Sequence, residues 1–211
     1  TVTVTLWLLA PWWLHDVQAH ADAVAVFAAI GLLFPAAVTL LIYESNARLG
    51  PTTTATVSST APLFAFAAAA LFLGEKLSLS VTLATVMTVT GIAMLSWKAP
   101  TTARGVGPRP RDLMLPAGAA VVRGASQVAM KFGLALWPSA YAATLVGYTV
   151  SSAVVLLAAR ATARRQPLRY TGYGIGAFLV VGACNGSAMF LMYAALARGD
   201  VVRVAPIVAS Y

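Results

Sequence analysis

Residues 61–97 read APLFAFAAAALFLGEKLSLSVTLATVMTVTGIAMLSW. The stretch holds the end of one apolar run, 52–73, and the whole of another, 77–97, separated only by Gly74, Glu75 and Lys76. A helix of roughly 20 residues crosses the hydrocarbon of a bilayer, so two runs of this length around a charged turn predict two spanning helices. Barrel strands, the other way to span, need about 10 residues of alternating polarity, and neither run alternates.

The same pattern extends in both directions. Further runs lie at 24–43, 113–136, 141–159 and 171–197, with shorter ones at 1–14 and 201–211. Neither end looks complete: the first run lacks a starting Met and the basic flank of a signal peptide, and the last stops at Tyr211 in mid-pattern. The chain therefore reads as a fragment of a longer membrane protein. Its 211 residues are 60% hydrophobic and 9% charged, against roughly 25% charged in soluble domains. That excludes a soluble fold and disorder alike. A single cysteine, Cys184, excludes an intrachain disulfide framework and reads as core. The expected fold class is an all-α, polytopic membrane protein.

Residues 98–112 (KAPTTARGVGPRPRD) have the Pro, Gly and Arg content of a linker and divide the chain in two. Sliding the chain by 150 residues lays YESNARLGPTTTATVSSTA, from Tyr43, over YAALARGDVVRVAPIVASY, from Tyr193. Tyr43/Tyr193, Ala47/Ala197, Arg48/Arg198 and Ala55/Ala205 are identical. The offset carries the third helix of one unit onto the third of the next, with an odd number of helices between. A second unit so placed is inverted, which is a transporter architecture with the substrate bound where the repeats meet.

Residues 61–97, with Pro62, the LFLGEKL run holding Gly74 and Glu75, and Gly91, resemble the end of the EamA-type repeat of the drug/metabolite transporter superfamily. Residues 113–211 are similar to the start of a second copy: GASQVAMKFGL fits its first helix, and YAALARGDVVRVAPIVASY its third-to-fourth junction. The resemblance implies a ten-helix, 5+5 inverted-repeat carrier of which about eight helices are present. Residues 1–97 would be the C-terminal part of the first repeat, 98–112 the inter-repeat loop and 113–211 the N-terminal part of the second. It also implies a secondary carrier, commonly an exporter of amino acids, other metabolites or drugs, in a bacterial inner membrane. Fold and substrate are loosely tied in such a superfamily, so the substrate stays open.

Arg123, Gln127 and Lys131 lie inside the run 113–136 at steps of four, hence on one helix face. A charge at the depth of Arg123 costs about 2.5–3.5 kcal/mol on insertion scales and calls for a partner or a water-filled cavity. The functional reading is a polar stripe binding the carboxylate or phosphate of a substrate. The alternative is a helix that starts later and leaves Arg123 near the headgroups. Thr52, Thr53, Thr54, Thr56, Ser58, Ser59 and Thr60 precede Pro62, which frees the Ser58 carbonyl. Ser58 and Ser59 could thus line a substrate site, or the hydroxyls could serve helix packing and bond to their own backbone. Pro35 similarly frees the Gly31 carbonyl and marks a kink. Gly182, Asn185, Met189 and Met192 share a face suited to a permissive cavity, although Gly182 and Gly186 also form a small-xxx-small packing pair. Glu44 is the carboxylate best placed for protonation during transport, or else an interfacial acid paired with Arg48. Glu75 suggests a structural role at a helix boundary.

The six carboxylates, Asp16, Asp22, Glu44, Glu75, Asp112 and Asp200, offer no paired acids for intramembrane hydrolysis. No glycine-rich phosphate loop precedes Lys and Ser/Thr, which argues against an ATP-driven pump. His15, Asp16, His20 and Asp22 fit no metal signature, and no cofactor is expected. The basic loops 98–112 and 160–170, with Arg48, put nine Lys/Arg on one side of the membrane. The positive-inside bias makes that side cytoplasmic, whereas the family's usual topology makes it external. The expected partners are the lipid bilayer, a small-molecule substrate and a coupling proton or ion, with no nucleic acid; oligomeric state is not set. A flippase for lipid-linked substrates and a non-transporting scaffold subunit are the alternative functions.

Overall fold

In the computed structural model the described residues are 2–13, 21–75, 79–97, 110–162 and 172–209, and they form an all-α polytopic membrane protein. In order they are α1 (Val2–Trp13), α2 (Ala21–Gly31), α3 (Val38–Leu49), α4 (Pro51–Ser58), α5 (Ala61–Ala68), α6 (Leu79–Trp97), α7 (Pro110–Leu136), α8 (Ala140–Thr162), α9 (Gly172–Arg198) and α10 (Val201–Ala209). The histidine cluster at 15–20 and most of the linker and of the second basic loop lie outside the described residues.

Five stretches among the described residues are long and apolar enough to cross a bilayer: Ala21–Leu49, Pro51–Leu73, Arg111–Leu136, Ala140–Ala161 and Gly176–Arg198. The first two are broken helices, and proline accounts for both breaks. Pro35 lacks an N–H and disfavours the helical conformation of the residue before it. Phe34 accordingly leaves the helix at φ −138°, ψ 121°, inside the wide turn Leu32–Ala37 that joins α2 to α3. Pro62 sits instead in the first turn of α5, where no N–H is needed, and α4 stops at Ser58. Outward faces carry bare apolar side chains such as Leu71, Phe72, Leu157 and Phe178, which only lipid would solvate.

The span of α7 is the most buried of the five, and α7 packs on α2, α3, α4, α5 and α9. Small residues let the backbones close. A Cβ on Gly124 would stand 2.7 Å from the Ala65 nitrogen and 2.8 Å from the Ala61 oxygen, so α7 touches the α5 backbone directly. Gly124→Ala is therefore expected to destabilise the protein by about 1–3 kcal/mol, the range for overpacking. Gly91→Ala, where a Cβ meets nothing within 4 Å, should be neutral or gain up to about 1 kcal/mol of helix propensity. Unfolding in detergent micelles would measure both.

Aromatic packing fills the centre: Phe27 meets Tyr193 edge-on at 6.3 Å and Trp137 at 6.4 Å. The helix junctions keep a common spacing. The α3/α4 junction puts the start of α4 at Pro51, and the α9/α10 junction puts the start of α10 at Val201, 150 residues on.

Candidate functional site

The break at Phe34 opens onto a cavity of about 820 Å³. Its walls are Phe34, Pro35 and Thr39 on one side, the face of α9 from Val180 to Ala195 opposite, and Val204, Ile207 and Val208 of α10. Among the described residues, Arg123 of α7 is its one charged lining residue. The guanidinium carbon lies 6.0 Å from the centroid of the Phe34 ring, within reach of a cation–π interaction. That position answers the cost of a charge at this depth: Arg123 is half-buried, faces a cavity and rests on an aromatic ring.

Asn185, Met189 and Met192 of α9 line the same cavity. The Tyr148 hydroxyl donates to Asn185 Oδ1 at 3.2 Å, which fixes the amide at the wall. Cys184 is exposed and also lines the cavity, which corrects its reading as core. Gly182 departs from its neighbours in spacing. It borders a separate, mainly apolar space of about 400 Å³ with Gly186, against α1. A Cβ on Gly186 would come within 2.7 Å of the Val2 side chain, so Gly186 serves the packing of α9 on α1.

The rest of the α7 stripe diverges. Gln127, one turn beyond Arg123, is 4% exposed and absent from the cavity wall, and its Oε1 has no hydrogen-bond partner among the described residues. Lys131 stands about 12 Å further along the helix than Arg123. Its Nζ donates to the Gly199 carbonyl at 2.6 Å and to Glu75 Oε1 at 3.2 Å, and approaches Asp200 Oδ1 at 3.4 Å. Glu75 also accepts from the backbone of α10, from Val201 N–H at 3.0 Å on Oε1 and Val202 N–H at 2.9 Å on Oε2. A carboxylate at a helix N-terminus satisfies orphan donors and suits the dipole there. Gly74, at φ 62°, ends the preceding helical turn in the left-handed region that glycine favours and presents Glu75 beyond it. Lys131 and Glu75 thus clasp the α9/α10 junction.

Ser58, Ser59 and Glu44 lie elsewhere. Ser59 Oγ donates to the Thr56 carbonyl at 2.6 Å, and Thr54, Thr56 and Thr60 likewise bond to carbonyls three or four residues back. Ser58 Oγ is buried with no partner among the described residues, and neither serine lines the cavity. Glu44 is half exposed and bound to Arg48 at 2.7 Å. Arg48 reaches on to Asp112 at 3.2 Å, which ties the end of α3 to the start of α7.

Two participants escape a reading from spacing alone. Phe34 carries no polar signal, though it stands directly before Pro35 and so leaves the helix. Glu75 marks a helix boundary, but the helix it caps begins 126 residues later.

Among the described residues, five spanning stretches, two of them broken, border an open-sided cavity with Arg123 on its wall, and they define a polytopic membrane protein. Residues 1–97 match the EamA-like transporter family, whose members are membrane transporters of the drug/metabolite type and not enzymes. That match covers the stretch from α1 through α6, including the broken helix and Glu75. No curated protein matches the chain.

Proposed function

We propose that the protein is a secondary carrier that exports small organic solutes across a bacterial inner membrane by alternating access. Arg123 facing a cavity at a broken helix carries this reading, because discontinuous helices expose backbone groups where a substrate can meet them. Residues 113–209 would form the start of a second, inverted repeat, a reading supported by the equal spacing of the α3/α4 and α9/α10 junctions. Substrate would contact Arg123, Asn185 and Met189, with Gln127 one turn away as a buried acceptor.

Flux into proteoliposomes of a panel of labelled amino acids, organic acids and cationic drugs tests the reading. Saturable, protein-dependent uptake of at least one class is expected. Uptake no faster than in empty liposomes for every class would overturn it.

A further inference from the structure

An ion-pair group stands near each end of α7, and each ties a helix junction to it. Asp112, in the first turn of α7, pairs at 3.2 Å with Arg48, which lies in the last turn of α3 at the α3/α4 junction. Towards the other end, Lys131 holds the Gly199 carbonyl and Asp200 of the α9/α10 junction, while Glu75 beside it accepts from the Val201 and Val202 N–H groups. Asp112 and Lys131 lie about 28 Å apart along α7, at about 1.5 Å per residue, which is close to the roughly 30 Å of a bilayer's hydrocarbon. The two groups therefore sit towards opposite faces of the membrane. Between them α7 is locked onto the α5 backbone at Gly124. The tied elements, by contrast, supply most of the cavity wall: α9 and α10 at one junction, and the turn that leads into α3 at the other.

We propose that α7 is the fixed spine of the carrier and that these two groups are its alternate latches, each holding one helix junction closed at one face and releasing it when that face opens. The inference rests on the alternating-access reading and names the contacts that this motion breaks. The pairing pattern singles them out. A charge stripped of its partner away from bulk water is costly, and here release strands none without a compensating group. If the α9/α10 junction moves off, Lys131 and Glu75 stay paired at 3.2 Å, and Asp200 leaves with Arg203 of α10, 3.9 Å away. If the α3/α4 junction moves off, Arg48 leaves with Glu44 at 2.7 Å, and Asp112 stays at the N-terminus of α7, where the helix dipole favours a carboxylate. A contact made in one state and lost in the other biases the equilibrium between them by its own free energy. Latches at opposite faces therefore bias it in opposite directions.

The test compares the rates at which Cys184, on the cavity wall, reacts with a membrane-impermeant thiol reagent applied from each side of oriented vesicles. Three variants are used beside the unsubstituted protein. Lys131→Met removes the bonds to Gly199 and Asp200, and Glu75→Gln weakens the hold on α10 while keeping one acceptor, so the same latch is loosened in two independent ways. Asp112→Asn frees Arg48 and leaves its pair with Glu44 in place. The expected result is that the ratio of the two rates shifts by about threefold or more, in the same direction, in the first two variants. In Asp112→Asn it shifts the opposite way by about twofold or more, the smaller effect because that pair is open to solvent, with side chains 52% and 22% exposed. Ties of purely structural use would lower the melting temperature in detergent without moving the ratio. Unchanged ratios, or shifts of one sign in all three variants, would overturn the latches. Flux separates this inference from the reading beneath it. Established flux of a solute with unchanged or same-sign ratios sinks the latches alone, whereas no flux of any solute, with a thiol that reacts from one side only in every form, sinks the carrier and the latches together.

Discussion

Arg123→Gln is expected to lower substrate-dependent flux by about 10- to 100-fold while leaving the protein inserted and folded. The magnitude follows from losing a charge-assisted hydrogen bond to substrate, about 1.5–3 kcal/mol, at roughly 1.4 kcal/mol per factor of ten. Stability should move the other way or stay put, because a charge at this depth costs about 2.5–3.5 kcal/mol on insertion scales and glutamine relieves part of it. Activity falling while stability holds is the signature of a residue kept for function. Arg123→Lys should be intermediate, since lysine keeps the charge but loses the planar fork and the stacking on Phe34. Transport rates in proteoliposomes, paired with unfolding in detergent, measure both quantities. Unchanged flux in the glutamine variant would remove Arg123 from the site.

Glu75→Ala should do the reverse, costing about 2–4 kcal/mol of stability, because two buried backbone donors lose their acceptor at about 1–3 kcal/mol each. Those donors belong to Val201 and Val202, which are 0% and 3% exposed. Lys131 loses a partner in the same change but keeps the Gly199 carbonyl and Asp200. Glu75→Gln retains one oxygen acceptor and should cost less than the alanine variant. Asp200→Asn serves as the contrast: its side chain is 51% exposed, and an ion pair that open to solvent contributes about 0–1 kcal/mol. Equal losses in the alanine and asparagine variants would show that charge, and not the capping of α10, sets the strength of the clasp.

Much of this architecture is legible in the sequence, because run length and hydropathy are local and the bilayer sets a length scale for them. The run 52–73 and the helices after 112 are examples. Pro35 announces a break by its missing N–H, but nothing local says that Phe34 will wall a cavity or lie under Arg123. The α7 stripe is visible as steps of four, yet its members part company. The angular spread within a face is enough to send Arg123 to the cavity, Gln127 to the interior and Lys131 to the α9/α10 junction. Partners so distant in the chain, 56 residues from Lys131 to Glu75, leave no trace in a window of one helix. The threonine and serine run shows the limit from the other side. The hydroxyls of Thr54, Thr56, Ser59 and Thr60 bond to carbonyls of their own chain, so a row that looks like a binding surface is largely occupied by local backbone. The α9 face divides because Gly186 approaches α1, and Gly182 borders the space beside it, while Asn185 and Met189 turn to the cavity.

The central claim, that this cavity is the solute path and opens alternately to the two sides of the membrane, can be read at Cys184. It is the chain's only cysteine and lines the cavity. The measurement is its rate of reaction with a membrane-impermeant thiol reagent applied from either side of oriented vesicles, with and without a transported solute. Alternating access predicts reaction from both sides, with a saturating solute changing the ratio of the two rates. A thiol that reacts at the same rates in the presence and absence of a solute whose flux is established would contradict it.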